Sequence, residues 1–95
     1  MATIDITRLH RLSKEEAKKR AEDFAKTMQS RFSLEWRWVG DAIRFDAPSG
    51  AAKGTKGEVA VSEKDVRVQI DLPFILRVMK STVESKVNEK LDAIL

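Results

Sequence analysis

Apolar and polar residues alternate along five stretches of this chain, and two longer stretches repeat their apolar positions every three or four residues. Ile4 and Ile6 alternate with Asp5 and Thr7, so residues 3–9 predict a half-buried strand. Leu34, Trp36 and Trp38 alternate with Glu35, Arg37 and Val39. A Gly40-Asp41 turn follows, then Ile43 and Phe45 alternating with Arg44 and Asp46, which together predict an antiparallel hairpin. Val59 and Val61 alternate with Glu58 and Ala60. After the turn Ser62-Glu63-Lys64-Asp65, residues Val66, Val68, Ile70 and Leu72 alternate with Arg67, Gln69 and Asp71, a second hairpin.

The first helical stretch starts at Ser13, an N-cap with Glu16 three residues on. That spacing predicts a capping box, in which hydroxyl and carboxylate each take one orphan N–H. The helix extends to about Arg31. Its apolar face is Ala17, Ala21, Phe24, Ala25, Met28 and Phe32, and its polar face carries the i,i+4 pairs Glu15–Lys19 and Glu22–Lys26. Small alanines let such a helix lie close on a sheet. Pro73 ends the last strand and suits the opening of a second helix, residues 73–95, with Leu76, Met79, Val83, Val87, Leu91 and Ile94 on one face. Phe74, Ile75 and Val78 widen that face, so the helix begins apolar nearly all round. Two readings stand side by side: the segment fills the core, or Phe74, Ile75, Val78 and Met79 form a contact surface for a partner, a twin subunit or an apolar particle. Residues 47–56, with two glycines and two lysines, read as a mobile loop.

The order β-α-β-β-β-β-α, with short turns between strands, predicts an α+β fold: an antiparallel sheet of about five strands with both helices on one face. The inward side of the sheet is predicted to carry Leu34, Trp36, Trp38, Ile43, Phe45, Val59, Val61, Val66, Val68 and Ile70. A mixed-charge outer side pairs across strands. The 95 residues suit a single α+β domain over 1–95.

Composition narrows the function classes. The chain has no cysteine, hence no disulfide, thiolate nucleophile or thiolate metal ligand. A cytoplasmic protein fits this best. The opening residues lack the basic region and apolar run of a signal peptide, and no stretch approaches the ~20 apolar residues of a spanning helix. The net charge of +3, from 18 basic and 15 acidic residues, is spread along the chain, which argues against a dedicated nucleic-acid binder.

No catalytic constellation emerges. His10 is the single histidine, so neither a histidine-pair metal site nor a hydrolase triad can be assembled; it reads as a strand-end or surface residue. Gly54-Thr55-Lys56 fails the Gly-Lys-Ser/Thr order of a phosphate loop, and a strand follows it where a helix is needed. Asp5, Asp46, Glu58 and Asp71 lie on polar strand faces with no pair singled out for acid–base work. Trp36 and Trp38 flank Arg37, but they share a face with Leu34, which favours packing over base stacking. Their indole N–H groups then need partners. A pocket between sheet and helices, lined by Trp36 and Trp38, is the milder functional version, suited to an apolar or acyl ligand. No cofactor, catalytic residue or metal ligand is expected.

Taken in order, several segments resemble one family. They are Ile4-Asp5-Ile6 with His10 and the Ser13 helix start; Leu34-Glu35-Trp36-Arg37-Trp38-Val39-Gly40-Asp41; Lys56-Gly57-Glu58-Val59; and Val66-Arg67-Val68 leading into Leu72-Pro73-Phe74-Ile75-Leu76-Arg77. This pattern is similar to that of the polyhydroxyalkanoic acid system proteins, small bacterial proteins associated with polyester storage granules. The resemblance covers nearly the whole chain, and only the 47–56 loop looks longer than the family's. It implies a role in polyhydroxyalkanoate synthesis, use or granule organisation and brings no catalytic motif. The leading expectation is a non-enzymatic accessory protein that binds a granule surface or a granule protein. An apolar-ligand domain and a weak nucleic-acid binder are the alternatives. A homodimer, formed through the apolar segment or an exposed sheet edge, is a further expectation.

Overall fold

The computed structural model describes residues 3–50 and 52–95; Met1, Ala2 and Ala51, which fall in the opening segment and the 47–56 loop, lie outside the described residues. The elements are β1 (Ile4–Leu9), α1 (Lys14–Phe32), β2 (Glu35–Val39), β3 (Ala42–Asp46), β4 (Lys56–Val61) and β5 (Asp65–Asp71). A 3₁₀ turn follows at Phe74–Met79, and α2 spans Lys80–Ile94. All strands form one antiparallel sheet in the order β1-β5-β4-β3-β2. The chain lays down β1 at one edge, crosses the sheet through α1, starts β2 at the far edge and meanders back until β5 pairs with β1. The predicted α+β architecture, element order and strand pairing are those observed.

Alternation sets the register. Ile4 faces Ile70, Ile6 faces Val68 and Val59 faces Val68, so their side chains share the inner side. Ile4, Ile43, Val59, Val66 and Val68 are almost wholly buried there, under Ala17, Ala21, Phe24 and Ala25 of α1 and Val87 and Leu91 of α2. The β2–β3 turn needs a positive φ at Gly40 alone (63°), which matches a two-residue hairpin with glycine first. Lys14 and Lys18 of α1 both grip Asp41 and hold that turn under the helix N-terminus.

Half of the capping box is present. Ser13 Oγ accepts the Glu16 N–H at 3.1 Å, but the Glu16 carboxylate turns away and accepts Arg20 Nε at 3.3 Å. The expected Glu15–Lys19 pair does not form among the described residues, and Glu16–Arg20 is the i,i+4 ion pair of that turn. Glu22–Lys26 forms as expected, at 3.6 Å. Arg20 also donates from Nη1 to the Ile94 carbonyl at 2.6 Å and so ties α1 to the C-terminal end of α2. Arg8 reaches Asn88 and Asp92, fixing the same half of α2 to β1.

His10 is not a surface residue. It is buried at the end of β1. The Leu12 N–H donates to Nδ1 at 3.1 Å, so Nε2 carries the proton and donates to the Ser62 carbonyl at 2.9 Å. With His10 N–H donating to the Lys64 carbonyl, the residue stitches the β1 exit to the β4–β5 turn. On the outer side, Arg67 grips Asp5 with two hydrogen bonds of 3.0 and 2.7 Å. These bonds hold the Asp5 carboxyl below the usual carboxylate range.

Two predictions follow from these contacts. His10→Ala strands the Ser62 carbonyl and the Leu12 N–H and costs about 1–3 kcal/mol, read from urea midpoints; an unchanged midpoint would refute the stitch. The Asp5 contribution is complete above the unfolded-state value and is lost as pH falls through the depressed folded-state value. Asp5→Asn therefore lowers stability slightly at neutral pH, and the gap to wild type closes in strong acid. A gap that widens on acidification would contradict the pairing.

Candidate functional site

The expected second helix does not begin as an α-helix. Pro73 lacks an N–H, and the Pro73 carbonyl accepts the Leu76 N–H at 2.8 Å, an i→i+3 bond that starts the 3₁₀ turn. Regular α-helix begins only at Lys80. The tighter period sorts the side chains. Leu76 and Met79, three apart, point into the fold and line a cavity. Ile75 and Val78, also three apart, share the opposite side and are 79% and 88% exposed; Phe74 is 85% exposed and Met79 46%. No residue of the turn is buried. Leu76 packs against the core, but the rest of the segment presents a patch of large apolar side chains to solvent, with exposed Arg77 and Lys80 beside them.

Behind the patch lies a cavity of about 240 Å³. Its walls are Met28 and Phe32 from α1, Trp36, Phe45 and Ile70 from the sheet, and Leu76, Met79 and Val83 from the turn and α2. Phe32, 41% exposed, and Met79 are lining residues that also reach solvent, so they mark the mouth. Ala52 and Thr55 close the side nearest the 47–56 loop. That loop, expected to be mobile, is a hydrogen-bonded turn among its described residues. Ala47 N–H donates to the Thr55 carbonyl and Gly54 N–H to the Ala47 carbonyl, both at 2.9 Å.

Phe45 lines the cavity because Gly57 lets it. The two are direct partners across β3 and β4, and a Cβ on Gly57 would sit 2.2 Å from the Phe45 ring and 2.6 Å from the Gln69 carbonyl oxygen. Any side chain there would displace ring or strand. Sequence reasoning placed Gly57 in a strand entry without finding this role; an isolated glycine inside an alternating strand was the available signal.

The two tryptophans part company. Trp36 lines the cavity and donates from Nε1 to Gln29 Oε1 at 3.0 Å. Trp38 is not part of the cavity wall. It stands in a shallow depression beside α1, with Lys18 Nζ 4.8 Å from its ring centroid, and donates to Glu22 Oε1 at 3.0 Å. That hydrogen bond, aided by Lys26, holds the Glu22 carboxyl below its ordinary range.

Asp46, Glu58 and Asp71 line one open depression on the outer side of the sheet, together with Arg37, Arg44 and Lys56, and Asp5 lies outside it. Asp5 is held by Arg67, and Glu58 faces Arg44 at 4.0 Å. Among the described residues no group of three or more His, Cys, Asp or Glu side chains is placed to hold a metal ion, and no helix is long and apolar enough to cross a membrane.

Substituting the close-approach glycine tests the cavity wall. Gly57→Ala overpacks against Phe45 and costs about 1–3 kcal/mol in chemical denaturation. Gly57→Ala with Phe45→Leu recovers part of that loss; no recovery would place the clash elsewhere.

Comparison with known proteins finds a family for the chain. The model of a family described as "Putative polyhydroxyalkanoic acid system protein" matches residues 4–95. No curated protein and no solved structure matches the chain.

Proposed function

The chain belongs to the polyhydroxyalkanoic acid system family, and from that premise we propose that it is a non-enzymatic accessory protein that attaches to the surface of polyhydroxyalkanoate granules in the cytoplasm. The observation that carries this reading is the exposure of Phe74, Ile75 and Val78 on one short turn. Side chains of this size are stabilised by roughly 1.5–3 kcal/mol each when they leave water, and no described residue covers them. Storage polyester offers an apolar surface with ester oxygens. Exposed Arg77 and Lys80 beside the patch suit the polar margin of such a contact. A protein already coating the granule is the other partner of this chemistry.

The outer side of the sheet supports attachment less well. Arg67–Asp5 and Arg44–Glu58 pair across strands there. The charges of that side are mixed in sign, whereas a nucleic-acid role needs a stripe of cations.

Co-sedimentation with bare and with protein-coated polyhydroxyalkanoate granules tests the proposal. Wild type is expected to pellet with bare granules. Ile75→Glu, at an exposed site, keeps its thermal midpoint and loses about 2 kcal/mol of apolar contact, or roughly 30-fold in partition, plus the cost of seating a charge. Binding only to coated granules would transfer the contact to a protein partner. Binding to neither, or unchanged binding by Ile75→Glu, would overturn the proposal.

A further inference from the structure

The cavity behind the patch has its own chemistry. Its walls are apolar except at Thr55, which is 7% exposed and whose buried hydroxyl has no hydrogen-bond partner among the described residues. A buried hydroxyl left unpaired is costly, and native folds seldom tolerate one without an occupant or a purpose. Water is a poor occupant, since a buried water needs two to four polar partners and Thr55 Oγ1 is the one unsatisfied buried side-chain atom among the described residues. A pure hydrocarbon fills the space but leaves the hydroxyl unpaired. An apolar molecule with one oxygen satisfies both conditions.

Size narrows the class. A dry apolar cavity of about 150 Å³ accepts benzene, so in proportion the 240 Å³ here takes about nine or ten non-hydrogen atoms. The wall can adapt to an entering chain, because Met28 and Met79 are unbranched and re-pack at low cost. The mouth between Phe32 and Met79 already reaches solvent.

We infer that this cavity is a binding site for a medium-length aliphatic compound carrying one hydroxyl or carbonyl oxygen, with Thr55 Oγ1 as its hydrogen-bonding partner. The hydroxyl oxygen itself is sealed from the cavity surface, so binding requires a χ1 rotation that exchanges it with the methyl. Thr55 is a binding residue here and nothing more; no bond of the ligand is broken. The site does not depend on attachment to a granule, so it stands or falls separately from Phe74, Ile75 and Val78.

The test compares two probes of equal size, 1-heptanol and 1-chloroheptane, titrated into the full chain and followed by methyl NMR. Both are expected to shift the methyl signals of Ile70, Leu76 and Val83 while leaving Val66 unmoved. Hydrocarbon partition alone favours chloroheptane, because an alcohol loses its hydration on leaving water. Heptanol is expected to bind at least about three- to tenfold more tightly than that partition predicts, the worth of one net hydrogen bond. In Thr55→Val, which keeps the shape and removes the hydroxyl, that excess disappears while chloroheptane binds at least as well. Absence of shifts at the cavity methyls, a wild-type affinity ratio that follows hydrocarbon partition, or an excess that survives in Thr55→Val would each overturn the assignment. The wild-type comparison decides the matter even if the variant fails to fold.

Discussion

The inner side of a five-stranded sheet is wider than the two helices of this chain can cover, and the rest of the structure follows from where that shortfall falls. Ala17, Ala21 and Ala25 let α1 settle close over β2, β3 and β4. The second helix is held over β1 at its C-terminal half, by Arg8 to Asn88 and Asp92 and by Arg20 to the Ile94 carbonyl. Among the described residues its approach from Pro73 has no such polar tie to α1. Between that approach and α1 the layers part, leaving the cavity. The approaching segment carries more apolar side chains than the gap can receive.

Much of this was legible in the residues. Period-two alternation gave all five strands and their inner faces, because each strand is buried on one side only. The second helix's apolar positions were correctly phased even though its first six residues form a 3₁₀ turn. Over a single turn, periods of 3.0 and 3.6 agree at Leu76 and Met79, which is why sequence spacing could not distinguish them. What they disagree about is the flank: the tighter turn sends Ile75 and Val78 straight outward together.

Other features were hidden because they depend on distant partners. His10 meets Ser62, 52 residues away, and nothing local marks it as a tether. The capping box failed in one half because Arg20 offered Glu16 a better donor than the Ser13 backbone. Trp36 and Trp38 look equivalent in sequence, yet α1 crosses above them so that Trp36 borders the cavity and Trp38 sits beside Lys18. The unpaired Thr55 hydroxyl could not be read from a loop whose composition suggested only mobility.

The patch and the cavity share a boundary. Met79 belongs to both, and attachment through Phe74, Ile75 and Val78 brings the mouth at Phe32 and Met79 to the same side as the contact. The two proposals are chemically separate but would operate at one end of the molecule. The most direct test of the central claim is amide hydrogen exchange on the free protein and on protein adsorbed to bare polyhydroxyalkanoate particles. The account predicts that new protection concentrates at residues 74–80, with the outer side of the sheet unchanged. New protection confined to the sheet edges β1 and β2, with residues 74–80 exchanging as before, would contradict it.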